Sequence, residues 1–434
     1  MPTIAIVGAG IIGVTTALAL VQRGFNIVLI DKAQKVASAT SRNNGAQLSY
    51  AYADAMASPG LFAMAGRIAL GQEPGLQFRL TPSIHNLSWL AAFLMQSSQR
   101  NFIANTRTSL QTAVRSKKQM DRWREHFNFE HEMNGKLLIL PNQSSVDQNE
   151  VIVDLKNEFG FDQSILTKEE AIAVEPALKR FAGKMAGAVY SPHDEVGDPH
   201  QFANGVLNYL LSVSDNNVFL SNHDVTGLVI KNGTVTSLQS DKGLIEADGY
   251  VFASGHLTTK FAKQLGVKIP VVPVSGYSLT YPLGENAPKH SITDVKGKAV
   301  LCPLGDKLRI AGLADIGDAS TTVRSGRLEQ LKSVLFDRFP GAANSNGVGE
   351  PWIGHRPVTP NSQPIVGQTK LSNTFLNCGH GSLGWTMAAG SAEQLATQIC
   401  VQFGKDPKDV QEITTGIGEQ GRTGNVGSDL AMPA

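Results

Sequence analysis

The chain has 434 residues, 42% of them hydrophobic and 17% charged, and its 38 basic and 37 acidic side chains leave a net charge of +1. That length fits a soluble enzyme of two interleaved domains, and the charge balance excludes an electrostatic case for nucleic acid, so an anionic ligand must be caught locally. Cys302, Cys378 and Cys400 are widely spaced, with no CxxC or Cys/His ligand pattern, so they read as small buried residues of a reducing compartment and no metal is expected.

The chain opens on Ile4-Ala5-Ile6-Val7, which runs into Gly8-Ala9-Gly10-Ile11-Ile12-Gly13. The apolar run predicts a buried parallel strand. Gly8 permits a tight turn, Gly10 lets a pyrophosphate approach the backbone, and Gly13 lets a helix pack on the strand. The helix N-terminus then supplies N–H groups and positive dipole. Val14 to Arg23 has helical composition, Gly24 reads as its stop, and Asn26 to Ile30 reads as the second strand, delivering Asp31 to a ribose hydroxyl with Lys32 beside it. No basic and apolar leader precedes the first strand, and no run of about eighteen apolar residues occurs, which predicts a cytoplasmic protein or one held only peripherally on the inner membrane.

Further along, Ser58 to Gly71 reads as a short helix or a loop, and Leu87 to Phe93 and Asn101 to Phe127 read as helices, the latter with Leu110, Val114, Met120 and Trp123 at threes and fours. Arg115, Lys117, Lys118, Arg122 and Arg124 form either a solvated helix face or a docking surface for an acidic partner. Gly135 to Leu140 reads as a strand, and Val218 to Phe252 as several short strands, with Asn232-Gly233 as a hairpin turn. From Pro270 to Asp315, runs such as Gly276 to Tyr281 and Lys307 to Ala311 predict a second, antiparallel sheet, followed by a helix from Ser325 to Phe339. The tail beyond Asp409 is rich in Gly, Thr, Asn and Ser and is expected to be poorly ordered.

An NAD protein needs only the first βαβ unit, whereas an FAD protein must also hold the flavin ring. Three further segments suit that task. Ala39 to Gln47 is dense in small and amide residues and could run donors along a pyrophosphate and ring edge. Val251-Phe252-Ala253-Ser254-Gly255 is a strand ending in small residues, and Val225 is a further cofactor candidate. Thr374 to Thr386 reads as a strand, a glycine-rich turn (Gly379, Gly381, Gly384) and a helix start, whose N-terminus is the expected donor to flavin N1 and the C2 carbonyl.

The N-terminal fingerprint, Thr40-Ser41-x-x-Asn44-Gly45-x-Gln47, Gly276-Tyr277-Ser278, Gly354-x-Arg356-Pro357 and Gly379-His380-Gly381-x-x-Gly384-Trp385-Thr386 together resemble the D-amino acid oxidase superfamily of flavoproteins, and most of all its bacterial D-amino acid dehydrogenase branch. The resemblance covers Met1 to about Cys400, with Ala46 standing where the branch often has Gly. It implies an α/β fold, a Rossmann-like FAD-binding domain with a second, antiparallel-sheet substrate domain. We divide the chain into an FAD-binding domain (1–85, 145–265, 346–408), a substrate domain (86–144, 266–345) and a flexible tail (409–434).

The cofactor residues so implied are Gly8, Gly10, Ile11, Ile12, Gly13, Asp31, Lys32, Thr40, Ser41, Asn44, Gly45, Ala46, Gln47, Val225, Ala253, Ser254, Gly255, Gly381, Ser382, Leu383, Gly384, Trp385 and Thr386. Arg356, carried over from the arginine of the family motif, would hold the substrate carboxylate. Tyr277 is either a phenolic donor to that carboxylate from the roof sheet or partial core. Tyr50 and Tyr52 would share one strand face and line the side-chain pocket. His380 either donates to the flavin, shapes the pocket or is a packed histidine. Trp352 to Val358 has no cysteine, so FAD is expected to be noncovalent. The implied reaction is oxidation of a small D-amino acid to a 2-oxo acid and ammonia, with hydride passing to flavin N5 and electrons going to a quinone or another acceptor. Glycine or sarcosine oxidase, a D-proline or hydroxyproline dehydrogenase, and an electron-relay flavin subunit remain open alternatives.

Overall fold

A computed structural model of the protein describes residues 1–61, 66, 72–73, 75–79, 81 and 83–413. Most of the Ser58 to Gly71 stretch, and the tail from Thr414 onward, for which disorder is expected, lie outside the described residues.

The opening strand, Thr3–Val7, is the buried run that its composition demands, and it pairs in parallel with Asn26–Ile30 on one side and Gly249–Phe252 on the other. Among the described residues the sheet runs Val218–Leu220, Asn26–Ile30, Thr3–Val7, Gly249–Phe252, Thr374–Cys378 and Ile365–Gln368. Its last pair is antiparallel and the rest are parallel. The helices Ile11–Val21, Gln99–Trp123, Pro199–Val213 and Gly384–Gln402 share one core, in which Leu18, Leu110, Met120, Phe202 and Leu395 are fully buried. Gly13 sets the approach of helix to strand, since a Cβ built there would stand 1.8 Å from the Gly8 carbonyl oxygen.

The second sheet runs Glu350–Val358, Val272–Pro282, Lys307–Ile316, Ala299–Leu304, Ser291–Asp294, Lys136–Leu140, Gly187–Ser191 and Ser164–Thr167. It is mostly antiparallel, but Ser291–Asp294 lies parallel to Lys136–Leu140, and Leu76–Phe78 lies parallel to the end of Lys307–Ile316. Strand alternation divides its two faces. Leu137, Tyr277, Leu279, Tyr281, Ile292, Leu301 and Ile310 point into an apolar core completed by Leu331 and Leu335. Their neighbours Lys136, Ser278, Ser291, Cys302 and Arg309 bond to the Asn43–Ser49 segment on the other side. That polar face is the roof of the site.

Sheet membership departs from the domain boundaries drawn on the sequence. Ser164–Thr167 and Gly187–Ser191 belong to the roof sheet although 145–265 is expected in the cofactor domain, and so does Glu350–Val358. Gln99–Trp123 moves the other way and packs its Leu110, Ala113 and Met120 into the core of the parallel-sheet unit. The chain crosses between layers more often than composition reveals, because a strand pairs by register rather than by neighbourhood in sequence. The expected hairpin forms at Asn232-Gly233, whose φ values of 51° and 76° suit a two-residue turn.

Candidate functional site

The crevice at the C-terminal ends of Thr3–Val7, Asn26–Ile30 and Gly249–Phe252 gathers the glycine-rich turn. Gly8 (φ 106°) lies so close to the next strand end that a Cβ there would be 2.7 Å from Ser254 Cα. Asp31 caps the second strand, with Oδ2 accepting from Ala9 N–H (2.7 Å) and Oδ1 from Ala33 N–H (2.8 Å). Helix Ile11–Val21 has Gly10 as its N-cap and so no side-chain cap of its own; Ser41 Oγ accepts from Ile11 N–H at 3.1 Å. Ile12 is partly buried against the helix core. Val225 is buried beside Ile30, the chain around it fastened where Asp31 O accepts from His223 N–H. Ala253 N–H donates to Val7 O, Ser254 bonds Thr258, and Gly255 has φ 60°. Lys32 is exposed.

From Thr40 to Ser49 the chain crosses beneath the roof sheet. Thr40 Oγ1 bonds the backbone of His355 at both N and O (3.0 Å each). Asn44 Oδ1 accepts from Ala46 N–H, and Ala46 takes φ 55°, the left-handed backbone that explains why glycine suits that position. Gly45 O accepts from the Cys302 thiol at 2.9 Å. Thr386, in the first turn of Gly384–Gln402, accepts from Ser49 N–H (3.1 Å) and lies 3.4 Å from Gln47 O, and Trp385 Nε1–H donates to Gly197 O. Gly381, Ser382 and Leu383 form a single tight turn leading into that helix. Its N-cap, Leu383, offers no side-chain acceptor, and a Cβ on Gly381 would meet nothing within 4 Å.

Arg356 stands at one end of this path. Its guanidinium lies over Gly276 and donates from Nη1 to Leu313 O at 2.9 Å. The strands Val272–Pro282 and Lys307–Ile316 slip register between Ser275 and Tyr277, and Leu313 takes φ 58°; the irregularity brings its carbonyl to the arginine. Among the described residues no carboxylate pairs with Arg356, and desolvation alone pulls its pKa below the ordinary value. Val274, its register partner, belongs to an apolar cluster with Trp89, Phe93, Ile316 and Val358.

The tyrosines go elsewhere. Tyr277 does not face Arg356: its hydroxyl donates to Asp315 Oδ2 (2.9 Å) and its ring lies in the roof sheet's core with Leu279 and Tyr281. Asp315 is held from the other side by Arg324 and Arg327. Tyr50 and Tyr52 share no strand face, because strand Gln47–Leu48 ends before them and a turn follows, with Tyr52 N–H donating to Ser49 O. Tyr50 is fully buried near Lys117 and Glu195, whereas Tyr52 packs between the ammonium groups of Lys136 and Lys156. His380 is buried, and its Nε2 meets Ser391 Oγ (2.9 Å). Because that hydroxyl donates to Ala388 O, the histidine donates from Nε2 and keeps Nδ1 as a bare acceptor, which has no partner among the described residues. Burial drives its pKa down to about 3.

Some site-shaping residues escape a sequence reading. Arg309 reaches Asn43 Oδ1 (3.2 Å), Asn44 O and Asp198, pinning the segment under the roof; a cation inside the apolar run Leu308 to Ala311 was its signal. Trp89 Nε1–H donates to Val358 O at 2.9 Å, so folding brings a residue distant in sequence to the strand that carries Arg356. Lys136 is 1% exposed and bonds Ser49 Oγ at 2.9 Å and Gln47 Oε1 at 3.2 Å. Of the basic helix face, Lys117 and Arg124 turn inward onto buried Glu195, which they and His131 hold ionised below its ordinary pKa against its own burial.

A family model described as FAD dependent oxidoreductase (DAO) matches residues 3–398. The chain belongs to this family. It is 32% identical over 397 residues to a protein of Allorhizobium ampelinum named D-amino acid dehydrogenase, covering 91% of this chain and 93% of that one. Among solved structures, L-proline dehydrogenase from P. horikoshii superposes with a TM-score of 0.71 at 20% identity, covering 94% of this chain and 96% of that one. Glycine oxidase from Bacillus cereus does so with 0.69 at 19% identity, covering 96% and 100%. These likenesses establish the fold.

The crevice fits FAD. Two helix N-termini without side-chain caps from their N-cap residues, Gly10 and Leu383, carry the positive dipole that a pyrophosphate and a reduced flavin ring call for. The added-Cβ space at Gly381 is open, and His380 Nδ1 is a buried acceptor with no donor among the described residues. Among the described residues no helix is long and apolar enough to cross a membrane.

Proposed function

We propose that the protein oxidises small D-amino acids to 2-oxo acids and ammonia at FAD held along Gly8–Gly13, Asp31, Thr40–Gln47 and Gly381–Thr386, and hands the electrons to a quinone or another carrier. The observation that carries this reading is Arg356, a partly buried guanidinium with no carboxylate partner among the described residues, set over a glycine that leaves its face open. An unpaired enclosed cation is costly, and a bound substrate carboxylate would offset that cost through charge-assisted hydrogen bonds. The name carried by the A. ampelinum relative supports the choice of D-amino acids.

The residues of Gly8–Gly13, Asp31, Thr40–Gln47 and Gly381–Thr386 would hold FAD, which would supply a hydride acceptor for the α-hydrogen of the substrate. The chain's own part is placement. Leu313 O fixes one edge of the guanidinium, so the carboxylate can be taken on the other in one orientation. Val274, the register partner of Arg356, packs with Trp89 and Phe93 in a buried apolar cluster that backs this part of the strand pair. No side chain is assigned as general base, since the amine need only be neutral when it reacts.

Anaerobic mixing of the holoenzyme with D-alanine, L-alanine, D-proline and sarcosine tests the reading through loss of the flavin's visible absorbance. Bleaching by D-alanine and not by L-alanine, with slow return in air and fast return on adding a quinone, is the expected result. Bleaching by sarcosine alone would replace D-amino acids as the substrate class, and no bleaching by any of them would overturn amine oxidation.

A further inference from the structure

Behind the Gln47–Ser49 segment lies a buried ionic cluster that plays no part in the reaction described above. Lys136 is at its centre, on the polar face of the roof sheet. The ammonium bonds Ser49 Oγ and Gln47 Oε1 and lies 4.0 Å from the centre of the Tyr52 ring. Ser49 N–H in turn donates to Thr386 Oγ1 in the first turn of Gly384–Gln402, so the ammonium is two hydrogen-bond steps from the helix end at which the flavin is placed.

The charged and titratable groups facing Lys136 come from several elements: Asp194 from the loop ahead of Glu195–Gly197, Cys302 from Ala299–Leu304 two strands along the sheet, Lys156 from helix Gln143–Asn157, and Asp54 beyond the turn. Lys156 is already paired with Asp54 at 2.8 Å. Asp194 Oδ1 accepts from Ala51 N–H, while its Oδ2 is buried with no hydrogen-bond partner among the described residues. Among the described residues no carboxylate touches Nζ: the groups that bond it, Ser49 and Gln47, are both uncharged. A desolvated ammonium with neutral hydrogen-bond partners projects its charge further than an exposed one.

We propose that Lys136 is a positioning residue that holds the Gln47–Ser49 segment against the first turn of the last helix and, through its buried positive charge, raises the reduction potential of the bound flavin. This rests on the flavin placement at Gly381–Thr386 given above. Reduction adds negative charge to the ring, and a nearby cation in a region of low dielectric favours that charge. Burial pulls the lysine pKa down to about 8, with Asp194 opposing the shift, so the contribution fades over an accessible pH range.

The test measures the reduction potential of holoenzyme by dye equilibration from pH 6 to pH 10 in wild type, Lys136→Met and Lys136→Arg, after equal FAD content has been established. The expected result is a lower potential in Lys136→Met at pH 6 to 7, a gap that closes as wild type loses its ammonium toward pH 10, and a Lys136→Arg potential that stays high at pH 10. A packing role alone would move FAD content or Tm and leave the potential where it was. A fully loaded Lys136→Met enzyme with wild-type potentials at every pH overturns the proposal. Should that variant fail to hold FAD, Asp194→Asn provides the second reading: losing the anion that holds the lysine pKa up is expected to move the fall in potential to lower pH, and an unmoved pH profile counts against the lysine. The dye titration needs no substrate, so the Lys136 inference stands or falls on the potentials alone, whereas a flavin that no amine bleaches counts against the proposed function.

Discussion

Gly276 lies directly beneath the Arg356 guanidinium: a Cβ built on the glycine would fall 2.4 Å from Nη2 and 2.8 Å from Nη1. Gly276→Ala is therefore expected to displace the guanidinium and loosen its bond to Leu313 O, at a cost of about 1 kcal/mol in substrate binding. Steady-state kinetics with D-alanine check this through a several-fold rise in KM. An unchanged KM would mean that the guanidinium has room to move without consequence.

Arg356→Ala removes the carboxylate anchor itself. The loss of a charge-assisted pair predicts a fall in kcat/KM worth about 1.5 to 3 kcal/mol, carried mainly by KM. Flavin absorbance and Tm should stay close to wild type. Kinetics unchanged from wild type would remove Arg356 from the site.

At Gly13 the neighbour is backbone. A Cβ there would stand 1.8 Å from Gly8 O, so Gly13→Ala must push the first helix off its strand, at a cost of about 1 to 3 kcal/mol by analogy with overpacked cores. The expected outcome is a lowered Tm together with loss of FAD on gel filtration. Full retention of FAD would show that the helix end can shift and still hold a pyrophosphate.

Acid stability should turn on buried neutral histidines. His380 is held down at about 3 by burial, and His256 at about 4 by burial and then by the adjoining His355. Both are depressed in the folded state, so the unfolded chain binds the extra protons, and the stability they contribute is complete above about pH 6.5 and is lost as pH falls toward 4 and 3. Denaturant unfolding at pH 7 and pH 5 should show a smaller drop for His380→Asn than for wild type. An equal drop would assign the acid limb to other groups.

Acid precipitation checks how FAD is held. The three cysteines, Cys302, Cys378 and Cys400, are all buried and free, and the Trp352–Val358 stretch has none, so flavin colour should pass to the supernatant. Colour left in the pellet would reveal a covalent link through some other residue.

Much of the cofactor crevice was legible because it is local. Strand, glycine turn, helix and Asp31 lie within thirty-one consecutive residues, and each obeys a short-range rule. The core placement of Tyr277 is also written locally: apolar Tyr277, Leu279 and Tyr281 alternate with polar Ser278 and Thr280, a period of two that assigns the tyrosine to the core face. Tyr50 and Tyr52 depart from the expected common face because the strand Gln47–Leu48 ends before them and strand alternation does not carry through a turn. Lys136 could not be read at all, since an isolated lysine at a strand start looks like an edge residue until the strand on either side, Ser291–Asp294 and Gly187–Ser191, is known. The same holds for the crossing of Gln99–Trp123 into the parallel-sheet core, which is settled by tertiary packing rather than by composition.

The strand Thr3–Val7 finds its neighbour Gly249–Phe252 some 245 residues later, and that strand must wait again for Thr374–Cys378, while Thr15 of the first helix lies against Ala388 of the last. A ribosome therefore delivers the phosphate-binding turn long before it delivers the helix end that completes the crevice. The nascent chain must hold an open sheet edge through most of its synthesis, exposed to wrong partners, and can capture its cofactor only after nearly the whole chain has emerged. Binding of FAD is therefore expected to follow the emergence of the last helix rather than of the first turn.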